Sequence, residues 1–182
     1  IRDRNVSIQL VGDYFDDCLN AARNFCQEQG AHFLSPFDDA DVIEGQASVA
    51  VEIERQLGST PDHIILPVGG GGLSSGMLSY FGTSSQFTLV EPLGGACLWA
   101  ALIAGKPVKL DKVDTFADGA AVGQIGQLTF ECLRSIGLAN VLRIPEDRIC
   151  ITMLEMLNIE GIVLEPAGAL AVSYTHLTLP TP

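Results

Sequence analysis

Residues 67–73 read Pro-Val-Gly-Gly-Gly-Gly-Leu, and their types and order suit one piece of chemistry, the holding of an anion. The run His63-Ile64-Ile65-Leu66 before them is short, apolar and rich in β-branched residues, as expected of a strand buried on both faces. Leu73-Ser74-Ser75-Gly76-Met77-Leu78 after them reads as the start of a helix. Backbone without Cβ atoms can turn several N–H groups toward one point, and a helix N-terminus adds unpaired donors and a partial positive charge. Gly69, Gly70, Gly71, Gly72 and the Leu73 N–H are therefore the candidate cradle, with phosphate as the expected ligand. A plain flexible turn is the competing reading, but such turns seldom join a buried strand directly to an apolar helix. Two nucleotide motifs fit poorly. No Lys follows the glycines, and G-x-G-x-x-G placed on Gly69 and Gly71 meets Ser74 where its third glycine belongs.

The elements that must position this loop follow from the rest of the chain. Its 182 residues, 47% apolar and 18% charged, suit a globular protein with a substantial core. A net charge of −12 argues against nucleic acid and anionic membranes as partners, so an anion is welcome only where local N–H groups override the global field. No apolar run is long enough to span a bilayer, and no secretory signal is visible, so a cytoplasmic protein is expected. Cys18, Cys26, Cys97, Cys132 and Cys150 are odd in number and lack close pairs, which reads as reduced thiols and not as disulfides or a metal centre.

Val6–Val11 and Ala31–Leu34 read as strands around a helix capped by Asp13 and closed by Gly30. Beyond Ser35-Pro36, a long helix is expected with Val42, Val49, Ile53 and Leu57 on one face, stopped by Gly58. Strand 63–68, helix 73–81, strand 86–90, helix 95–104, an irregular stretch 105–122, helix 123–136 and strand 141–144 follow, and Pro145 opens a last helix. Strand–helix alternation predicts an α/β fold with a mainly parallel sheet, helices on both faces, and ligands beyond the carboxyl ends of the strands. Residues 173–181 translate like a transposase-end sequencing adapter, and Val172 fits the bases before it, so 172–182, His176 included, are expected not to be native.

Several segments together resemble one family. Pro36-Phe37-Asp38-Asp39, Val42-Ile43-Glu44-Gly45-Gln46, Pro67 to Leu73, Phe116-Ala117-Asp118-Gly119 with Gly123 and Gly126, and Gly161 to Leu170 are similar to the pyridoxal-phosphate enzymes of the threonine dehydratase (threonine ammonia-lyase) family. The glycine loop is shared across the fold-type-II (tryptophan synthase beta-like) group. Pro-Phe-Asp-Asp and Glu-Pro-Ala-Gly-Ala-Leu point to the biosynthetic threonine enzyme. The resemblance implies pyridoxal 5′-phosphate as cofactor, its phosphate in the nest of Gly69–Gly72 and Leu73, with Gly119 bringing backbone close to the coenzyme ring. It implies a small amino-acid substrate, conversion of L-threonine to 2-oxobutanoate and ammonia in isoleucine biosynthesis, and a homo-oligomeric parent. A serine dehydratase or racemase of the same fold stays open, as does a non-catalytic anion- or nucleotide-binding module.

The resemblance also assigns residues 1–35 to a remnant of the smaller domain and 36–171 to part of the large coenzyme-binding domain. The family's Schiff-base lysine has no counterpart here, since Lys106, Lys109 and Lys112 lie in a polar connection, so no catalytic residue is assigned. The serine that meets the pyridine nitrogen lies beyond Glu165-Pro166-Ala167-Gly168. The chain is thus expected to be an internal fragment, inert by itself. Among the other candidates, Glu91 ends a strand on the same rim as the glycines. Related racemases place a cation ligand there, but a non-metal role is the reading, because the second carboxylate is replaced near Cys97. Asp118 suits a turn, Glu165 either a rim carboxylate or a first-turn acid, Asp38, Asp39 and Asp41 caps and turns, and Trp99 the core.

Overall fold

The computed structural model describes residues 6–12 and 15–178, without the side chains of residues 15, 16 and 176–178. Two compact units, Ile1–Leu34 and Ser35–Pro182, are taken in turn. In the first, α1 spans Phe15–Gln29. It ends at Gly30, whose φ of 62° lets the Ala31 N–H return to the Cys26 carbonyl at 3.0 Å. The strands predicted over Val6–Val11 and Ala31–Leu34 do not form, and Val6, Ile8, Leu10 and Leu34 are exposed. An alternating pattern makes a strand only when a neighbouring backbone takes its N–H and C=O groups, and among the described residues neither segment has one. Asp13, expected to cap this helix, lies outside the described residues.

The second unit is built on three parallel strands in the order β1 (His63–Pro67), β2 (Gln86–Pro92) and β3 (Val141–Ile144). The central β2 is buried from Phe87 to Pro92, the polar Thr88 and Glu91 included, as befits the middle strand of the sheet. β1 departs from the expectation of burial on both faces. It stands at the sheet edge, where Ile64 and Leu66 are buried and His63 is exposed. Helices cover both faces. Ile64, Leu66, Phe87 and Leu89 pack with Met77 and Phe81 of α4 (Gly72–Phe81), Leu98 of α5 (Cys97–Ala104), and Phe130 and Leu133 of α6 (Gln127–Leu133). On the other face, Val90 and Ile144 meet Ile149 of α7 (Glu146–Glu155) and Ala169 and Leu170 of α8 (Pro166–Thr178). Each such aliphatic or aromatic side chain, fully buried, contributes about 2 kcal/mol of transfer free energy.

The expected long helix is two, α2 (Ala40–Gln46) and α3 (Ser48–Leu57), joined at Ala47 and ended by Gly58 in the left-handed region. Its apolar face also differs. Ile43 and Ala50 are the buried residues, whereas Val49 and Leu57 are exposed. A Cβ on Gly76 of α4 would stand 2.6 Å from the Ile43 carbonyl oxygen and 2.7 Å from Ala47 N. Helices α2 and α4 therefore meet backbone to backbone at Ile43, the buried residue of α2. The helix predicted over 123–136 is shortened to α6 and a 3₁₀ turn, because the glycines at 123 and 126 leave its first residues irregular. Helix α8 carries on through residues 172–178, and the buried Ser173 hydroxyl donates to the Ala169 carbonyl at 2.8 Å. Among the described residues, no helix is long and apolar enough to cross a membrane.

Candidate cofactor site

The glycine loop leaves β1 at its carboxyl end and runs into the first turn of α4. Val68 prolongs the sheet by one bond, its N–H donating to the Val90 carbonyl at 2.8 Å. The Ser74 hydroxyl donates back to the Pro67 carbonyl at 3.1 Å, which ties the start of the helix to the end of the strand. Between these two anchors Gly71 takes φ 92° and ψ 0°, a conformation that a side chain would strain, and stands at the N-cap of α4. Among the described residues, the N–H groups of Gly69, Gly70, Gly71, Gly72 and Leu73 have no hydrogen-bond acceptor. The fully buried Ser75 hydroxyl, one turn into the helix, also has no partner.

Neighbouring helix starts give this opening its meaning. Asp39 caps α2, its Oδ1 accepting from the N–H groups of Asp41 at 2.9 Å and Val42 at 3.3 Å. Asp38 caps α6 across about ninety residues of chain, accepting from Leu128 at 2.7 Å, Gln127 at 3.0 Å and Thr129 at 3.3 Å. Glu91 caps α5, accepting from Leu98 at 2.7 Å and Trp99 at 2.8 Å. Helix α4 has neither a side-chain cap nor an acid in its first turn. Its positive end is therefore met by no acidic side chain of its own first turn or cap.

The loop is braced from behind. A Cβ on Gly70 would overlap the Phe37 ring, one on Gly72 would meet Phe37 Cα and Cβ at 3.2 Å, and one on Gly71 would stand 2.9 Å from Thr129 Cβ. A Cβ on Gly69 would stand 3.0 Å from Ala120 Cα and 3.3 Å from the Gly119 carbonyl oxygen. All six residues expected at the cofactor, Gly69 to Leu73 and Gly119, thus lie together, with Gly119 packed beside Gly69. Asp118 turns its carboxylate onto the Gly119 N–H at 2.9 Å, and exposed Glu165 lies just before α8, its Oε1 3.4 Å from where a Gly119 Cβ would stand.

Glu91 is not on an open rim. It is fully buried, and burial pushes its pKa up to about 7 against the opposing pull of the Leu98 and Trp99 amides, the Cys97 thiol and Arg143. Burial together with the Glu91 charge pushes the Cys97 thiol well above its ordinary range. Arg143, opposite Glu91 in the sheet, lies 4.3 Å from the Trp99 ring centroid, and Trp99 packs half-buried against the core. Lys106, Lys109 and Lys112 are exposed in the segment after α5. Sequence reasoning missed two contacts: the Thr129 hydroxyl donates to the Gly70 carbonyl at 2.7 Å and the Cys97 thiol to the Gly69 carbonyl at 3.4 Å. Nothing local in the sequence marks either residue, since the contacts span 59 and 28 positions. A cavity of about 730 Å³, lined by His63, Gln86, Thr88 and Asn140, opens at the amino ends of β1 and β2. That is the end of a parallel sheet opposite to where ligands collect, so the loop and not the cavity is the candidate site.

Comparison with known proteins bears on the family and the fold. The family model described as pyridoxal-phosphate dependent enzyme matches residues 1–178. The L-threonine dehydratase biosynthetic IlvA of Bacillus subtilis is 42% identical over 175 residues, 94% of this chain and 41% of that protein. Its Mycobacterium tuberculosis counterpart is 42% identical over 172 residues, 92% of this chain and 40% of that protein. The chain thus spans about two fifths of the length of these relatives. Among solved structures, the processed form of threonine deaminase isoform 2 from Solanum lycopersicum superposes with a TM-score of 0.81 at 34% identity, covering 91% of this chain and 48% of that one. Maize serine racemase gives 0.80 at 26% identity, covering 93% and 51%. The α/β architecture with its parallel sheet is the one these enzymes share.

Proposed function

The chain belongs to the pyridoxal-phosphate dependent enzyme family, and from that premise we propose that it forms the phosphate-holding part of a threonine ammonia-lyase. The net reaction is L-threonine to 2-oxobutanoate and ammonia. The observation that carries this reading is the uncapped start of α4, where five consecutive main-chain N–H groups, from Gly69 to Leu73, lack acceptors among the described residues. Those groups fit a phosphate dianion, which needs several short-range donors and no side chain in its way. When bound, pyridoxal phosphate supplies an electron sink for loss of the substrate's Cα proton. The chain's own residues hold and orient. Gly69–Leu73 grip the phosphate, Gly119 lies beside Gly69 along the same wall, and Phe37 and Thr129 keep the loop from moving back.

By itself the chain is proposed to be inert, because Lys106, Lys109 and Lys112 lie on an exposed connection and none matches the family's lysine motif. The test uses the B. subtilis relative. Residues 35–171 of this chain replace the aligned segment of that enzyme, and ketoacid release is followed. The hybrid is expected to bind the coenzyme and to release 2-oxobutanoate from L-threonine, while the 182-residue chain alone releases none. A soluble hybrid that binds no coenzyme would sink the reading. The likeness to maize serine racemase supports a second reading, with serine as the preferred amino acid. Pyruvate from L-serine without 2-oxobutanoate from L-threonine would select it.

A further inference from the structure

Two side chains outside the cradle address its peptide planes, and neither belongs to the glycine motif. The Gly70 carbonyl accepts from the Thr129 hydroxyl at 2.7 Å, and the Gly69 carbonyl accepts from the Cys97 thiol at 3.4 Å. Both side chains belong to fully buried residues. The peptide bonds are trans, so in each unit the C=O and the next N–H point in opposite directions. A donor that fixes the Gly69 carbonyl therefore aims the Gly70 N–H away from α5. A donor that fixes the Gly70 carbonyl aims the Gly71 N–H away from α6.

We propose that Thr129, with Cys97 in the lesser part, is a positioning residue that sets the orientation of the cradle's amides before any anion arrives. The assignment rests on the reading of the loop as the seat of the coenzyme phosphate. Glycine makes such a device necessary. Glycine backbone is the least restricted, so without a donor to hold its carbonyl the same unit could turn that carbonyl toward the ligand. A carbonyl facing a dianion repels it, whereas a held amide meets it with no reorganisation.

Thr129 is itself fixed. Its N–H donates to Asp38 Oδ1 at 3.3 Å, and a Cβ on Gly71 would stand 2.9 Å from its own Cβ, so Thr129 lies close against the loop. Cys97 is the weaker holder. Its one proton faces two acceptors, the Gly69 carbonyl and the Glu91 carboxylate.

The test compares Thr129→Val, which keeps the shape and removes the donor, with Thr129→Ser, which keeps the donor. Binding of pyridoxal 5′-phosphate and of pyridoxal, which lacks the phosphate, is titrated by fluorescence on the full 182-residue chain. Thr129→Val is expected to bind pyridoxal phosphate about tenfold more weakly and Thr129→Ser within about twofold of the parent, with pyridoxal unaffected by either. Cys97→Ala is expected to lose about threefold, and carries the test should Thr129→Val not fold. On the unsubstituted chain, inorganic phosphate is expected to shift the Gly70 and Gly71 amide resonances. Unchanged affinity in both Thr129→Val and Cys97→Ala, or an equal loss for pyridoxal, overturns the positioning role while the site reading stands. An unsubstituted chain that binds neither phosphate nor coenzyme overturns the site reading, and the positioning role falls with it.

Discussion

Replacing Glu91 by Gln should flatten the pH dependence of folding stability across the neutral range. Glu91 lies in the centre of the sheet, fully buried, with its two oxygens spent on the first N–H groups of α5 and Arg143 opposite it. Burial outweighs these partners and raises its pKa from an ordinary 4.5 to about 7. The folded chain therefore keeps a proton that the unfolded chain releases between those values, and stability falls as pH rises through that window. The contribution is whole below pH 4.5 and gone above about pH 7. At about 1.4 kcal/mol per tenfold, the span is worth about 3 kcal/mol in all, of which about 2.5 kcal/mol falls between pH 5 and pH 8. Urea unfolding of the parent and of Glu91→Gln, at pH 5, 6, 7 and 8, isolates the effect, since every other titrating group is common to both. The parent should lose about 2.5 kcal/mol more than the variant over that range. Parallel stability curves would mean that Glu91 is ionised in the folded chain throughout, and the account of its burial would be wrong.

The remaining predictions concern the elements around the loop. Asp38→Ala should cost about 2 kcal/mol in urea unfolding, because three α6 amides lose their acceptor at once, while Asp38→Asn should retain much of that stability. Gly76→Ala should destabilise by about 2 kcal/mol or more, since the added Cβ meets the backbone of α2, whereas Gly45→Ala, with nothing within 4 Å and no positive φ, should stabilise by about 0.5–1 kcal/mol. Affinity for pyridoxal phosphate should rise on the order of severalfold between 20 and 200 mM salt, because screening weakens repulsion by the −12 chain more than it weakens short contacts to buried amides. A fall of that size would mean that a lysine or arginine holds the phosphate.

How far the sequence could be read depended on whether the deciding interaction was local. The strand–loop–helix order around Gly69–Gly72 was plain, because apolar run, glycines and helix start adjoin. So were the parallel sheet and the Asp39 cap, both of which follow from alternation and from spacing within one turn. The strands expected at Val6–Val11 and Ala31–Leu34 failed because a strand is a property of two chains of backbone, and a pattern describes one. The apolar face of the 40–57 segment holds at Ile53, which packs against the core, but was misplaced at Val49 and Leu57 for a related reason. The glycine of its partner helix, Gly76, lets the backbone at Ile43 and Ala47 approach, and it lies some thirty residues away. Asp38 was rightly read as a cap but serves a helix ninety residues on. Thr129 and Cys97 carried no signal at all, since donors to a glycine carbonyl look like any other Thr and Cys.

Of the four glycines, Gly71 alone has a φ that side chains rarely adopt, Gly70 has no room for a Cβ, and Gly69 and Gly72 stand tight against what lies behind them. Phe37 fills the space of a Cβ at Gly70 and crowds it at Gly72, and the Gly119–Ala120 backbone crowds it at Gly69. The cradle is therefore a packed wall with amides on its open side and not a flexible loop. Its electrostatics follow from the same packing. In a chain of net charge −12, a phosphate would be repelled by any free carboxylate nearby. Asp38 is turned onto the start of α6, and Glu91 onto the start of α5 with a pKa raised to about 7. Asp38 and Glu91 are thus each matched to a helix terminus, and the start of α4 has no such acid. An anion that arrives there completes a pattern that Asp39, Asp38 and Glu91 have already established on α2, α6 and α5, with a phosphate in the place of the fourth carboxylate.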